Sequence, residues 1–293
     1  MIMLNNLFYQ KLYNHLKLPV KAQALMLDVY NKVGELSELQ NKMFDKDFPV
    51  LNMCGDTNAK ANEAGIHEYT FAYYLCIISA KRMYENYEKE NIRSSVFDDT
   101  ILDLKCKLEE CYMLHDIYGT FVFLWYPDMY RLNRFAFGRL QYDIAMYNWD
   151  TYNKLGFKLE EGDRVYNCHI PSMGPLTEEL CMDSYKKAYD FFGQHPLFIG
   201  CWSWMLYPGH YEFLPQNSRI LRFMNDFDII ESQETENFGE AWRLYGKNHT
   251  LPPEQWQEDT SLQRAYKSRI LAGLPVGAGK GILVFDGNKI VNK

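Results

Sequence analysis

The chain has 293 residues, and at about 150 residues per domain it is long enough for one large domain or two ordinary ones. Hydrophobic residues make up 47% and charged residues 24%, so the composition is globular and not that of a disordered protein. The formal net charge is −7 and neither half is basic, which argues against nucleic acid as the main partner. No apolar run approaches the roughly 20 residues that a membrane span needs.

Aromatic and sulfur-containing residues indicate the setting in which the protein works. Aromatic residues make up 16% of the chain, with 22 tyrosines, which suits pocket walls or a subunit contact as well as core. A homodimer is one arrangement that this content allows. The seven cysteines include no C-x-x-C pair and no metal-ligand spacing, and no signal peptide is visible. We therefore expect a cytoplasmic protein with buried thiols and no metal.

The first 130 residues carry helical periodicity. Apolar residues recur at helical spacing in three stripes, which begin at Leu25, Phe71 and Ile101. The stretch 48–62 contains Pro49, Gly55 and many polar residues, and it predicts a loop.

The pattern changes near residue 134. Residues 137–144 alternate, which predicts one half-buried strand with Arg139, Gln141 and Asp143 on the same face. Residues 165–231 then follow as strand, helix, strand, helix, strand, an order that favours α/β packing with at least part of the sheet parallel. The predicted domains are 1–133 and 134–293.

The connection after the strand Val165–Ile170 is the most informative local feature. This strand runs through Gly174 into a helix that Thr177 can cap. Such a turn aims backbone N–H groups and the helix dipole at one point, which is a geometry that binds phosphate. Two prolines in the turn have no N–H to donate to a phosphate, and the two glutamates that follow would repel it. An ordinary strand-to-helix loop is therefore the alternative.

Four stretches also resemble a known family. They are His169–Thr177, Phe137–Tyr142, Cys201–Leu206 and Leu214–Phe223. All four are similar to runs in bacterial acyltransferase domain-containing proteins. In that family a helical N-terminal domain precedes a domain like the GNAT-type N-acyltransferases. The resemblance implies an α+β or α/β fold, with a helical N-terminal domain followed by a GNAT-like mixed sheet with flanking helices.

The resemblance also implies a co-substrate. In GNAT-type enzymes the acyl-CoA thioester lies where two parallel strands splay, and the pyrophosphate rests on the loop and helix after the first strand. Acyl-CoA or CoA is therefore implied here. The loop residues that would contact it are Ser172, Met173, Gly174, Leu176 and Thr177. The loop lacks the Arg or Gln that usually begins it in this superfamily, so CoA use rests on the implied fold.

Acylation of an amine needs a base for the amine and an acid for the leaving thiolate. His169 is the candidate base, because it shares a strand face with Asn167 beside the implied thioester; a hydrogen-bonded structural histidine is the alternative. Tyr207 and Tyr211 follow the second strand and are candidate acids, with aromatic packing as the alternative.

Further residues are candidates for binding the substrate. They are Arg139, Gln141, Asn167, Trp202 and Trp204. The rings that bracket the two strands predict a ring-lined acceptor pocket. A solvated strand face is the alternative for the polar members of this set.

Two other chemistries are disfavoured. Cys168 adjoins His169, but neighbours in a strand point to opposite faces, so the two cannot form a dyad. The run Gly277–Gly281 looks like a phosphate loop but lacks the required glycine offset and the Ser or Thr after the lysine.

The sequence therefore predicts an N-acyltransferase that moves an acyl group from acyl-CoA to a small-molecule acceptor, an amine of unknown identity. One rival is a non-catalytic acyl-CoA or small-molecule binding protein on the same fold. The other is an interaction protein in which the helical domain binds the partner.

Overall fold

The computed structural model describes residues 6–293. They divide into two compact units, one up to Ala136 and one from Phe137 onward. The first unit is helical. Its α-helices are α1 Leu7–Leu16, α2 Val20–Val33, α3 Ser37–Phe44, α4 Val50–Ala64, α5 Glu68–Lys89, α6 Ser94–Ile101, α7 Asp103–His115 and α8 Pro127–Tyr130, with a 3₁₀ turn at Phe123–Trp125. Among the described residues, no helix combines the length and apolar character needed to cross a membrane.

Helix α5 is the centre of the helical unit. All ten residues from Phe71 to Ala80 are buried, and a helix that is apolar all round belongs inside a bundle and not on its surface. The Tyr130 hydroxyl donates to the Cys76 carbonyl at 2.6 Å, so this buried tyrosine also has its polar atom paired. Part of the aromatic excess is therefore used for packing this bundle.

The loop predicted over 48–62 is wrong, because α4 occupies most of it. Pro49 precedes the helix, and Gly65 ends it in the left-handed conformation. A glycine inside a helix costs about 1 kcal/mol relative to alanine. The buried stripe Met53, Thr57 and Ala61 offsets that cost through tertiary packing.

The second unit carries most of a six-stranded sheet. The strands are β1 Arg134–Phe137, β2 Leu140–Met146, β5 Arg164–His169, β6 Leu197–Ser203, β7 Asp228–Thr235 and β8 Val276–Phe285, and β3 Tyr152–Lys154 with β4 Phe157–Leu159 forms a separate hairpin. The sheet order is β1-β2-β5-β6-β8-β7, and the division between the two units falls within β1. The α-helices are α9 Glu178–Phe192, α10 His210–Phe213, α11 Arg219–Met224, α12 Ala241–Tyr245 and α13 Ser261–Leu271, and 3₁₀ turns lie at Trp204–Leu206, Gly246–Thr250 and Pro253–Gln255.

The single strand predicted over 137–144 is wrong, since it is two strands joined by a turn. Gly138 has φ +63°, a conformation that favours glycine, and it reverses the chain with Arg139 between β1 and β2. Arg139 therefore lies in the turn. Alternation within one strand predicted that it shares a face with Gln141 and Asp143, and this prediction is wrong.

The two faces of the sheet are covered differently. Helix α9 packs on one face, where Tyr166 stacks on Phe192 with ring centroids 3.9 Å apart. On the other face, the hairpin β3–β4 helps to bury Val165, Ile282 and Val284. The apolar cluster under the hairpin includes Val165, near the N-terminal end of β5. The polar residues described below lie instead toward the C-terminal ends of β5 and β6.

The run Gly277–Gly281, which resembles a phosphate loop, lies inside strand β8. A Cβ at Gly279 would stand 2.2 Å from the Leu206 carbonyl oxygen, and one at Gly281 would stand 2.8 Å from Phe227 Cβ. Glycine recurs at every second position because backbone and side chains from other elements lie directly on this strand.

Candidate active site

The two parallel strands of the sheet pair over only a short stretch. Strands β5 and β6 register at Tyr166 with Ile199 and at Asn167 with Gly200. Beyond these positions the C-terminal ends of the two strands continue without pairing to each other. We call this place the strand fork, with Cys168–His169 on one side and Cys201–Ser203 on the other.

Strand register brings a row of polar side chains together on the face opposite α9. Gln141 is opposite His169, and Asp143 is opposite Asn167. Side chains of directly opposed residues lie on the same face of a sheet. Three of the predicted site residues, Gln141, Asn167 and His169, are therefore neighbours on one surface.

His169 forms an ion-pair-type contact that the sequence did not predict. Its Nε2 lies 2.9 Å from Asp143 Oδ2, across the diagonal of the β2–β5 pair. The His169 side chain is 30% exposed and the Asp143 side chain is 16% exposed. A carboxylate at one ring nitrogen orients the imidazole and selects its tautomer, so the histidine is both held and accessible.

Gly200 adjoins this pair on the neighbouring strand. A Cβ at this position would lie 3.2 Å from Asn167 Oδ1 and 3.3 Å from the Trp149 ring. Both distances are tighter than ordinary van der Waals contact. The missing side chain therefore lets Asn167 and Trp149 approach the backbone beside the fork.

The sheet face that carries His169 continues across β6, β8 and β7, where its residues include Trp202, Lys280 and Glu231. Trp202 is opposite Lys280, and Lys280 is opposite Glu231. The Lys280 ammonium lies 4.7 Å from the centroid of the Trp202 ring and 2.6 Å from Glu231 Oε2. Trp202 is 48% exposed.

The loop after β5 turns through a glycine into a capped helix, as the sequence predicts. Gly174 has φ +68°, and no atom lies within 4 Å of where its Cβ would be. Thr177 caps α9 by accepting from Leu180 N at 3.4 Å, as predicted. Ser172 is exposed, whereas the Leu176 side chain is buried, so Leu176 could face a ligand only through its backbone.

The loop sequence itself contains no arginine, but arginines from other elements contact the loop or the start of the helix that follows it. Arg139 Nε donates to the Pro175 carbonyl at 3.1 Å, and Arg243 Nη1 donates to Ser172 Oγ at 3.3 Å. Arg222 Nη2 lies 3.6 Å from Glu178 at the start of α9. These cations offset the negative charge of the glutamates that follow the loop.

The two tyrosines predicted as acids lie in different surroundings. Tyr207 is buried and donates to Glu234 Oε1 at 2.8 Å. Burial, and then the Glu234 carboxylate, raise the pKa of Tyr207, so its hydroxyl stays protonated near neutral pH. Tyr211 is 59% exposed, and its hydroxyl donates to Asn225 Oδ1.

Trp204 does not continue the row of Trp202. It lies in the 3₁₀ turn after β6, and its ring packs edge-on against Phe238 and Tyr266 with centroids 5.7 and 5.6 Å away. Tyr166 is also buried, under α9. Of the rings that bracket the two strands, Trp202 is the one on the surface that carries His169.

The cysteines near the fork lie on the opposite face. Cys168 and Cys201 are buried, and burial, followed by the contact with Cys201, raises the pKa of the Cys168 thiol. A thiol in such surroundings is a poor nucleophile. Among the described residues, no group of three or more histidine, cysteine or acidic side chains is arranged to hold a metal ion.

Family profiles match both parts of the chain. Residues 134–283 match the GNAT-like C-terminal domain, and residues 8–132 match the N-acyltransferase N-terminal domain. The chain belongs to this acyltransferase family. Membership confirms the resemblance seen in the sequence motifs and places the protein among the transferase enzymes. No curated protein matches the sequence significantly.

Solved structures with the same fold include enzymes with ligands bound. An acyltransferase in complex with decanoyl-CoA and teicoplanin has a TM-score of 0.74 at 19% identity, covering 94% of this chain and 87% of that chain. An acyltransferase in complex with CoA and 10C-teicoplanin has a TM-score of 0.75 at 19% identity, covering 96% and 88%. A mutant acyltransferase in complex with octanoyl-CoA has a TM-score of 0.73 at 18% identity, with the same coverage. This likeness confirms the predicted fold.

Asp143, Arg222 and Arg243 are residues near the fork or the loop that the sequence analysis did not assign to the site. Alternation placed Asp143 on a polar strand face, but nothing local indicated that β2 lies beside β5. Arg222 and Arg243 come from helices that are 40 residues or more beyond the loop in the chain. Only the tertiary fold brings these residues to it.

Proposed function

We propose that the protein transfers an acyl group from acyl-CoA to an amine, with His169 as the base. The observation that carries this proposal is the His169–Asp143 contact beside the strand fork, in a chain of an acyltransferase family. Related folds bind CoA, octanoyl-CoA or decanoyl-CoA, which supports acyl-CoA as the donor.

The loop after β5 is proposed to hold the phosphates of the donor. The positive φ of Gly174, with open space beside it, allows close approach of a ligand to the backbone. The phosphates would then meet backbone N–H groups of the loop and of the helix start. The loop residues concerned are Ser172, Met173, Leu176 and Thr177. The arginines that contact the loop would supply the positive charge that the loop sequence lacks.

His169 is proposed to take the proton from the acceptor amine. Asp143 holds one side of the imidazole, and the neutral imidazole accepts the proton as the amine nitrogen attacks the thioester carbonyl. The N–C bond forms and the C–S bond breaks. The thiolate then takes a proton from the imidazolium directly, or from Tyr207, the buried candidate acid, whose tyrosinate is afterwards protonated by the imidazolium. By either route the proton that leaves the amine is balanced by the one that the thiol gains.

A two-stage experiment tests the proposal. Calorimetry with CoA, acetyl-CoA and octanoyl-CoA should show binding, and a thiol-release assay across a panel of primary amines should show turnover. Arg243→Ala, which removes the donor to Ser172 Oγ, should weaken binding, whereas Lys158→Ala, a change of an exposed lysine in the hairpin β3–β4, should not. Absence of binding at millimolar ligand would overturn the proposal. Binding without thiol release from any amine would favour the non-catalytic binding protein.

Cellular location, domain division and oligomeric state accompany this proposal. An acyl-CoA donor suits the cytoplasm, and the seven cysteines are free thiols, as a reducing compartment maintains them. The boundary between residues 133 and 134 and the homodimer stay predictions. Limited proteolysis and sedimentation would test them, respectively.

A further inference from the structure

Trp202 and His169 lie on opposite sides of the strand fork at the same level. Each is two residues beyond the last paired position, which is Gly200 for one and Asn167 for the other. Because side chains alternate along a strand, both lie on the face that carries the paired side chains. The two side chains therefore flank the fork on one surface of the sheet, where an acceptor lying across the fork would meet both.

The Trp202 ring is held in place although it is half exposed. The Lys280 ammonium lies 4.7 Å from its centroid, and Glu231 bonds to that ammonium at 2.6 Å. The Lys280 side chain is only 18% exposed, so the cation is partly desolvated, which strengthens a cation–π contact. The ring nevertheless keeps 48% of its surface accessible.

We infer that Trp202 selects acceptors that carry an aromatic ring near the reacting amine. The ring of such an acceptor would stack on the accessible part of Trp202 while its nitrogen reaches His169. Lys280 and Glu231 would act as positioning residues, because they hold Trp202 and do not touch the acceptor. This inference rests on the proposed acyl transfer and specifies the class of its acceptor.

An acceptor pair that differs only in ring character tests the inference. The kcat/KM for acylation of 2-phenylethylamine and of 2-cyclohexylethylamine is measured for the wild type, Trp202→Phe and Trp202→Ala. The stacking of an aromatic pair corresponds to about 2- to 12-fold in affinity. We expect the wild type to favour the aromatic amine by about that factor, mainly in KM, Trp202→Phe to keep part of the preference, and Trp202→Ala to lose it.

Two further variants separate selection from folding. Leu274→Ala alters a side chain of the same unit that is also 48% exposed, and it should leave the preference unchanged. Lys280→Met keeps the length but removes the charge, and it should reduce the preference without abolishing turnover. Equal losses for both amines in Trp202→Ala, or no loss for either, would overturn the inference.

Failure of the proposed function would be seen separately. If the wild type acylates neither amine, acyl transfer to simple amines is wrong. Calorimetric binding of 2-phenylethylamine to the wild type and to Trp202→Ala then decides the inference by itself. Equal binding of the two proteins would reject Trp202 as the selecting residue.

Discussion

The two faces of the second unit's sheet are made by the same strands and serve different purposes. On the α9 face, polar atoms are used internally, as where the Tyr142 hydroxyl and Ser184 Oγ lie 3.0 Å apart in the core. On the opposite face, His169 and Asp143 also pair, yet the histidine stays accessible. Pairing therefore does not distinguish a structural polar group from a site. What marks the second pair as a candidate site is that His169 is accessible beside the strand fork.

Two of the histidines of this unit, His210 and His169, show the same contrast in burial. His210 is fully buried, and its Nε2 lies 2.5 Å from the Tyr266 hydroxyl within a cluster of rings. His169 is 30% exposed and lies at the fork. The first is suited to support the fold, and the second is suited to exchange a proton with a substrate.

The largest expected effect is on the exposed histidine. His169→Gln should lower kcat/KM for thiol release by about 10²- to 10⁴-fold, the usual contribution of a positioned base, with little change in melting temperature. Cys168→Ala changes the neighbouring residue on the α9 face and should keep activity per folded molecule. If both variants lost activity equally, the distinction between the two faces would fail.

The next effect concerns acid stability. Burial, and then the charge of Arg269, lower the pKa of His210 to about 4, below the 6.5 of an unfolded histidine. The unfolded chain therefore binds the extra proton first as pH falls. The neutral His210 therefore contributes fully to the free energy of unfolding above pH 6.5. This contribution is lost progressively between pH 6.5 and 4, by up to about 3 kcal/mol.

Urea unfolding at pH 7.5, 6 and 5 measures this effect. His210→Phe should be less stable than the wild type at pH 7.5 but should lose less stability between pH 7.5 and 5. Parallel pH dependence in the two proteins would show that His210 does not titrate on unfolding.

A smaller effect is expected from the orienting carboxylate. Asp143→Asn keeps the size of the side chain but removes the charge that faces His169. A hydrogen bond to a charged group contributes about 1.5–3 kcal/mol, so kcat should fall by about 10- to 100-fold. Asp143→Glu should recover part of the activity. A KM effect alone would instead make Asp143 a substrate-binding residue.

The smallest effect tests the closed face. Ile199 is fully buried beside the fork, and Ile199→Val removes one methylene from the core. The free energy of unfolding should fall by about 1 kcal/mol, while kcat per folded molecule stays the same. A comparable loss of kcat would mean that the α9 face also shapes the site.

Local pattern was sufficient for part of this structure. The strand before His169, the Thr177 cap and the order of strands and helices over 165–231 all follow from alternation, turn residues and capping chemistry. These features depend on neighbours a few residues away, and such interactions can be recognised in a single sequence. The motifs also identified the family correctly.

Glycine is the residue whose structural role the local pattern indicated least well. Helix α4 forms despite Gly55 because its buried stripe offsets the cost. Gly138 divides one apparent strand into two because a single glycine can reverse the chain. Strand β8 contains glycines that would ordinarily indicate a loop, since other elements lie directly on its backbone.

The candidate site combines both kinds of information. Alternation was enough to place His169 and Asn167 on one strand face, and the resemblance then made His169 the candidate base, a role that stays a prediction. The tertiary structure alone decided that Asp143 lies against His169 and that Trp202 shares their sheet face across the fork. It also decided that Arg243 reaches the loop and Arg222 the start of α9. The physical reason is that these contacts depend on which strands are adjacent and on register. Both result from burying the whole sheet against its helices and not from any one segment.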